Sequence, residues 1–131
     1  RDFCLSRGLG DVYKRQVIIA SFNDYDVQEL LMNSKMLITD FSSVFFDFAY
    51  MGKPIVYYQF DDIHYAHGYF DYGGDGFGPV LKTEDEVINY LAEKVNDGFL
   101  VDDMYKARAE TFFEIRDDNN CERNFNAILS L

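Results

Sequence analysis

Basic residues are scarce in this sequence. It has 12 Lys and Arg against 23 Asp and Glu, which gives a formal net charge of −11 over 131 residues. Proteins that follow nucleic acid need clustered Lys and Arg, and so do polybasic patches that bind membrane surfaces. The charge therefore argues against a general nucleic-acid binder and against a polybasic membrane patch on this segment.

Cysteines and long apolar runs are also few. Cys4 and Cys121 are the only cysteines and form no Cys-x-x-Cys pair. Neither a disulfide framework nor a zinc site is predicted, and a reducing cytoplasm is the expected compartment. No apolar run approaches the roughly 18–20 residues that span a bilayer, and no basic start followed by an apolar centre indicates a signal peptide.

The chain is instead rich in aromatic residues. Hydrophobic residues make up 48% of the sequence and aromatic residues 18%, including 13 Phe and 10 Tyr. This composition excludes a disordered tail. A chain of this length is typical of one domain and can bury a core without disulfides.

Residues 1–16 differ from the rest. They read RDFCLSRGLGDVYKRQ and hold four basic and two acidic residues, so residues 17–131 carry a net charge of −13. The stretch has neither a strand period nor a helical period and resembles a translated sequencing adaptor. We set it aside as a non-native leader; an ordinary N-terminal loop or strand is the alternative. Because the sequence starts at Arg1, we expect residues 17–131 to be a domain from a longer protein.

Apolar runs and helical patterns alternate from residue 17 onward. The runs are typical of buried parallel strands. Asp26 and Glu29 have the spacing of a capping box at a helix start, and Gly52 is a helix stop. The predicted elements are strands Val17–Ser21, Met36–Thr39 and Ile55–Phe60, a helix from Asp26 with Val27, Leu30, Leu31 and Ser34 inward, and a helix over Ser43–Met51.

The second half predicts a loop and then helices. The loop extends to Gly78 and Pro79, and Thr83 and Glu86 form a capping box that opens a helix ending at Gly98. The order of strands and crossover helices predicts an α/β fold with a Rossmann-like parallel sheet and flanking helices, in which ligands bind beyond the carboxyl ends of the strands. The remaining predictions are a core face of Val87, Ile88, Leu91 and Val95 on that helix, and further helices near Met104–Glu114 and Asn120–Leu129.

The segment LITDFSSVFFDF carries the most chemical information. A strand ends at Thr39 and Asp40, and Ser42 and Ser43 follow at a helix start, where free N–H groups and the helix dipole favour an anion. Asp47 lies one turn further on the same helix face and can accept hydrogen bonds from ligand hydroxyls. In the alternative interpretation, Asp40 or Ser42 only caps the helix and Asp47 is a solvated helix residue.

The longer segment LITDFSSVFFDFAYMGKPIVYYQFD resembles the C-terminal half of the CDP-glycerol glycerophosphotransferases of bacterial teichoic-acid synthesis. That family carries a strand, TD-[YF]-SS-V, a helix with Asp, then K-P-I and an aromatic strand ending in Y-Q-[YF]-D. The GYFDY, GPV and LKTEDEV segments and the DDNNCERNFNAIL tail are similar as well. The resemblance therefore covers nearly everything from about Asp24 onward.

The resemblance implies a GT-B enzyme of two domains, of which this chain is the C-terminal, CDP-glycerol-binding half. The implied reaction transfers glycerol phosphate to a polymer hydroxyl and releases CMP, by in-line attack at phosphorus. The family's histidines, expected to be catalytic, would lie upstream of Val17, so we expect this chain by itself to be inactive. The implied site residues are Ser42 and Ser43 for the donor diphosphate, Asp47 for donor hydroxyls, and Thr39, Asp40 and Phe41 for the shape of the turn.

The resemblance also implies partners and a compartment. CDP-glycerol is the donor, with no cofactor and no metal, and the acceptor is a teichoic acid polymer held through the missing N-terminal domain. The full-length protein would be cytoplasmic, peripheral on the inner face of the cell membrane, and would bind no nucleic acid. Three alternatives stay open: a GT-B glycosyltransferase that uses a nucleotide sugar, a non-catalytic receiver-like α/β domain with Asp40 as phospho-acceptor, and a purely structural interaction module.

Four other polar residues give weaker patterns. His64 and His67 have aspartate neighbours but fit no metal-ligand spacing, so a loop near the ligand cleft is the preferred interpretation. Arg116 and Arg123 flank an acidic turn, where a charge pair at a helix end is the ordinary role.

Overall fold

The computed structural model describes residues 18–21, 23–61 and 70–131. The chain forms two compact units, residues 1–33 and residues 34–131. The elements in chain order are α1 (Val27–Asn33), β1 (Leu37–Thr39), α2 (Val44–Tyr50), β2 (Ile55–Tyr58), β3 (Val80–Leu81), α3 (Glu84–Asp97), α4 (Asp103–Phe112) and α5 (Asn120–Leu129).

The first unit contains α1. The predicted cap is confirmed, because the Asp26 carboxylate accepts hydrogen bonds from the backbone N–H groups of Gln28 at 2.7 Å and Glu29 at 3.2 Å. The predicted inward stripe is wrong, since no α1 residue is buried and Val27 and Leu30 are exposed. Tertiary packing rather than local pattern decides which helix face is covered.

The predicted first strand is also wrong in its described part. Val17 lies outside the described residues, and residues 18–21 have no strand conformation. Ile18 and Ile19 are exposed. A short apolar run becomes a strand only where a neighbouring strand takes its backbone hydrogen bonds, and among the described residues this run has no such neighbour.

The second unit holds a parallel sheet in the order β1-β2-β3. Leu37 lies beside Ile55, and Tyr57 lies beside Val80. The sheet and its flanking helices confirm the predicted α/β class. The sequence pattern did not predict the short strand β3, which begins directly after the predicted loop ends at Gly78 and Pro79.

The core forms where α2 packs against the central strand β2. The apolar run of β2 suits a strand covered by neighbours on both sides. The α2 residues that are buried are Phe45, Phe48 and Ala49, and the β2 residues are Ile55, Val56 and Tyr57.

The end of α2 follows the prediction. Gly52 adopts the left-handed conformation with φ of +69°. Its N–H donates to the Ala49 carbonyl at 2.9 Å, and the Lys53 N–H donates to the Phe48 carbonyl at 3.3 Å. These two bonds form a Schellman motif, which ends the helix and turns the chain into β2.

Residues 70–79 pack against the sheet. Phe77 is buried, and its N–H donates to the Tyr57 hydroxyl at 3.2 Å. A side chain at Gly78 would collide with the Ile55 carbonyl, so only glycine permits this close backbone approach. Arg108 donates to the Gly73 and Gly76 carbonyls at 3.1 and 3.0 Å and ties the segment to α4.

The capping box of α3 is confirmed. The Thr83 hydroxyl accepts from the Glu86 N–H at 3.3 Å, and the Glu86 carboxylate accepts from the Thr83 N–H at 2.9 Å. Gly98 ends the helix with φ of +77°. Glu86 has a lowered pKa because the Lys82 and Thr83 N–H groups donate to its carboxylate.

The predicted core face of α3 is partly wrong. Ile88 and Val95 are 53% and 56% exposed, whereas Lys94 is fully buried. The inward stripe therefore runs through residues 87, 90, 91 and 94, because polar partners hold the Lys94 ammonium inside. The helices after α3 agree with the prediction, with α5 at the predicted bounds.

Membrane crossing has no candidate in the described ranges. None of the helices there has both the length and the apolar character that a bilayer span requires.

Candidate functional site

The predicted site residues meet at the carboxyl edge of the sheet. We call residues 39–43 the serine turn: β1 ends at Thr39, and α2 begins one residue after Ser43. Ser42 and Ser43 are both exposed. Open α/β sheets bind ligands at this edge; that the turn binds a ligand stays a prediction.

The helix-capping alternative lacks the bonds that it requires. Ser43 occupies the N-cap position of α2, but its hydroxyl makes no capping bond. Within the described ranges, the side chains of Asp40 and Ser42 also have no hydrogen bond to the helix. The first N–H groups of a helix have no acceptor within the helix itself. Two hydroxyls and the adjacent N–H groups are therefore available to an external acceptor.

An aromatic contact fixes the backbone of the turn. The Tyr72 hydroxyl donates to the Phe41 carbonyl at 3.3 Å, and the two rings meet edge to face with centroids 5.7 Å apart. Tyr72 also packs on Tyr57, with centroids 4.9 Å apart. Sequence reasoning missed this role, because Tyr72 lies 31 residues beyond Phe41 and no local pattern joins the two.

Asp47 lies on the exposed side of α2. Phe45 and Phe48 are buried, while Phe46 stacks on Phe112 with centroids 5.3 Å apart. Asp47 is exposed, so its carboxylate points away from the packed face. The structure thus places Ser42 and Ser43 on the turn and Asp47 one helical turn further along the surface.

A second polar cluster lies away from the serine turn. We call it the lysine corner: Lys94 on α3 donates to the carboxylates of Asp97 at 2.9 Å and Asp102 at 2.5 Å and to the Leu100 carbonyl at 3.0 Å. The Tyr90 hydroxyl donates to the second oxygen of Asp102 at 3.0 Å. All three ammonium hydrogens have an acceptor, so the cluster is a closed structural network.

Charge in the lysine corner shifts several pKa values. Desolvation alone lowers the pKa of Lys94, but the hydrogen bonds and charges of Asp102 and Asp97 outweigh it and leave the pKa raised. The Lys94 hydrogen bond lowers the pKa of Asp97. Burial and the bond to Asp102 raise the pKa of Tyr90. The network therefore favours the ionised ammonium and carboxylates.

The weaker candidates take ordinary positions. His64 and His67 lie outside the described residues, and no cluster of three or more potential metal ligands exists in the ranges that the structure describes. Arg123 pairs with Asp117 at 2.9 Å and lowers the pKa of that carboxyl. Arg123 therefore has the charge-pair role that the sequence indicated. Arg116 instead donates to a backbone carbonyl, that of Ala49 at 3.0 Å, near the end of α2.

Known proteins have similar sequences and a similar fold. The sequence model of the family described as CDP-Glycerol:Poly(glycerophosphate) glycerophosphotransferase matches residues 5–130. The match begins at residue 5, within the 1–16 stretch that resembles a translated sequencing adaptor.

Two curated relatives come from Bacillus. The chain is 41% identical over 113 residues to the minor teichoic acid biosynthesis protein GgaB of Bacillus subtilis (strain 168), which covers 84% of this chain and 13% of GgaB. It is 41% identical over 80 residues to the teichoic acid poly(glycerol phosphate) polymerase of Bacillus spizizenii (strain ATCC 23059 / NRRL B-14472 / W23), which covers 57% of this chain and 20% of that polymerase.

A solved structure of a variant of the wall teichoic acid polymerase TagF shares the fold. The TM-score is 0.63 at 26% identity, over 95% of this chain and 31% of the TagF chain. This likeness to a GT-B-like polymerase agrees with the predicted fold class. The chain spans between 13% and 31% of the lengths of these three proteins. Because the family match extends over nearly the whole sequence, the chain belongs to the CDP-glycerol:poly(glycerophosphate) glycerophosphotransferase family.

Proposed function

We propose that the chain is the donor-binding portion of an enzyme that transfers glycerol phosphate from CDP-glycerol to a hydroxyl of a teichoic acid polymer and releases CMP. One observation carries the proposal: in a chain of this family, the serine turn presents two exposed and uncapped hydroxyls at the carboxyl edge of the sheet. Small hydroxylated residues beside unpaired N–H groups suit a diphosphate.

The proposed roles follow from position. Ser42 and Ser43 donate hydrogen bonds to the donor diphosphate, and Asp47 accepts hydrogen bonds from donor hydroxyls. Since α2 has only seven residues, the hydroxyls and the local N–H groups contribute more than a long helix dipole would. Thr39, Asp40 and Phe41 set the shape of the turn. An acidic chain can hold one diphosphate in this way, because the donors are local.

In the proposed reaction, the donor-binding portion positions the donor and stabilises charge and forms no covalent bond to it. A polymer hydroxyl oxygen attacks the phosphorus that bears glycerol and gives its proton to a base on the other domain. The bond from that phosphorus to the CMP phosphate oxygen breaks, and CMP leaves with the negative charge. Donors at Ser42 and Ser43 hold the diphosphate in line and stabilise the charge that develops on the leaving phosphate. The expected catalytic histidines belong to the other domain, so this chain alone should bind the donor without transferring it.

The remaining partners belong to the full-length protein. We propose that a teichoic acid polymer is held through an N-terminal domain, on the cytoplasmic face of the membrane, with no cofactor or metal. Residues 17–131 carry a net charge of −13, which repels an anionic polymer. The basic surface that binds the polymer is therefore expected on the other domain.

Calorimetric titration with CDP-glycerol tests the donor site. We expect the chain to bind CDP-glycerol, and Ser43→Ala to weaken binding by about tenfold, as loss of a hydrogen bond to a charged group predicts. Ser130→Ala is the matched control, because Ser130 lies after α5 and its hydroxyl donates to the Ala127 carbonyl within its own helix turn. Equal binding by wild type and Ser43→Ala would contradict the proposed site. Tighter binding of a UDP-sugar would favour a nucleotide-sugar transferase instead.

A further inference from the structure

A buried donor group just after β2 lacks an acceptor in the part of the chain that the structure describes. The side-chain nitrogen of Gln59, Nε2, is buried and has no hydrogen-bond partner among the described residues. Buried polar groups in folded proteins are nearly always paired, because an unpaired one loses its hydration without compensation. An unpaired amide nitrogen at the sheet edge where ligands bind could therefore donate its hydrogen bond to an acceptor on a ligand.

The sheet register places Gln59 at the same edge of the sheet as the serine turn. The ladder continues past β2, because the Gln59 N–H donates to the Leu81 carbonyl at 2.9 Å. Tyr57 lies beside Thr39, the last residue of β1. Two residues further along each chain, Gln59 follows β2 and Phe41 follows β1 at the same edge of the sheet.

The face of the sheet is also the right one. Side chains two residues apart on a strand project to the same side, so Gln59 shares the face of Tyr57. On that face Tyr57 packs on Tyr72, and Tyr72 bonds to the Phe41 carbonyl of the serine turn. The Gln59 amide therefore lies one pleat beyond Tyr57, on the side where the turn is anchored.

We propose that Gln59 is a donor-binding residue whose Nε2 donates a hydrogen bond to an oxygen of the donor diphosphate. This inference rests on the proposed function of the serine turn. Gln59 as a whole is only partly buried, so its amide can turn toward a ligand by rotation of its own side chain. The segment 39–47 contains no Lys or Arg, and a neutral amide adds a donor where positive charge is absent.

Stability separates this role from a structural one. If Gln59 supported the fold, its replacement would lower both stability and binding. If Gln59 is instead an unpaired buried donor, it destabilises the ligand-free fold. Gln59→Leu has a side chain of similar size without polar atoms, so this variant should melt at the wild-type temperature or higher. A loss of binding without a loss of stability is thus the distinguishing result.

The experiment measures binding and melting on the same proteins. We expect Gln59→Leu to bind both CDP and CDP-glycerol about tenfold more weakly than wild type, because both ligands carry the diphosphate. Gln59→Glu should lose at least as much affinity, since its carboxylate repels phosphate. Gln28→Leu makes the same change on exposed α1 and should bind like wild type.

Each contrary result has a defined meaning. Wild-type affinity in Gln59→Leu, with weakened binding in Ser43→Ala, would overturn this inference and leave the proposed function intact. Parallel losses of melting temperature and affinity in Gln59→Leu would assign the residue to the fold and overturn the inference. Lost affinity for CDP-glycerol but not CDP would overturn the assignment to phosphate. Absence of CDP and CDP-glycerol binding by wild type would overturn the proposed function, and the inference with it.

Discussion

The polar groups of the lysine corner are bonded within the fold, whereas those of the serine turn are exposed and open. In the lysine corner, Lys94 is fully buried and each of its three donors has an acceptor. In the serine turn, the hydroxyls of Ser42 and Ser43 are exposed, and the hydroxyl at the N-cap makes no capping bond. Polar groups that bond within the fold hold it together, whereas polar groups left open can bond to a ligand.

The comparison predicts that stability and donor binding depend on different residues. Substitutions in the lysine corner should change unfolding and leave donor affinity unchanged at temperatures where the protein is folded. Substitutions in the serine turn should do the reverse. A residue that moved both quantities equally would blur the distinction between the two regions.

The largest expected effect is on stability, from Lys94→Met. The substitution leaves the carboxylates of Asp97 and Asp102 without their cation. We expect a loss of about 2–3 kcal/mol, below the cost of breaking a fully buried pair, because these side chains are 31% and 43% exposed and can hydrate. Urea unfolding measures the loss. Lys106→Met, an exposed position on α4, is the matched control, and equal midpoints for the two variants would refute a structural role for Lys94.

The serine turn provides the opposite experiment. The double substitution of Ser42→Ala with Ser43→Ala should weaken CDP-glycerol binding by about 10- to 100-fold, as loss of hydrogen bonds to a charged ligand predicts. Its free energy of unfolding should stay within about 0.5 kcal/mol of wild type, since exposed side chains without bonds contribute little. Calorimetric titration and urea unfolding supply the two numbers. A large loss of stability would mean that the hydroxyls serve the fold after all.

A smaller effect on both quantities is expected from Tyr72→Phe. The variant keeps the ring that packs on Phe41 and removes only the hydroxyl that bonds to its carbonyl. Loss of this bond should reduce stability by about 1 kcal/mol and weaken donor binding a few-fold, because the turn is less well fixed. Tyr25→Phe, at an exposed position before α1, controls for the chemical change. Unchanged affinity in Tyr72→Phe would show that the turn holds its shape without the bond.

Local sequence patterns predicted the serine turn and the helix ends well. The strand before Ser42, the helix after it, the glycine stop at Gly52 and the capping box at Thr83 all depend on neighbours within a few residues. These patterns involve residues close together in the sequence, so they can be recognised without knowing the fold. The roles of the serines in binding remain predictions.

Contacts between residues far apart in the sequence could not be predicted from local patterns. The inward side of α3 was misplaced because an apolar pattern suggested Val95, whereas Asp97 at the helix end and Leu100 and Asp102 after it bind the Lys94 ammonium and hold that side chain inside. Tyr72 was missed for the same reason. It contacts the serine turn only because the chain folds back across the sheet, and no periodicity encodes that contact.

The smallest expected effect separates the two regions by pH. The Lys94 hydrogen bond lowers the pKa of Asp97 in the folded state, so the carboxylate's contribution to stability is present above about pH 4, the unfolded pKa. It is lost as the pH falls through the folded value. We expect the free energy of unfolding, measured with urea between about pH 2 and pH 6, to fall less steeply with decreasing pH in Asp97→Asn than in wild type. Glu86 and Asp117, whose pKa values are also lowered, should keep part of the pH dependence in the variant. Glu110→Gln, on the exposed side of α4, should keep the wild-type dependence. If Asp97→Asn kept the wild-type pH dependence as well, the charge of the Asp97 carboxylate would not stabilise the fold. The charges of the lysine corner would then contribute as little to stability as the open hydroxyls of the serine turn are expected to.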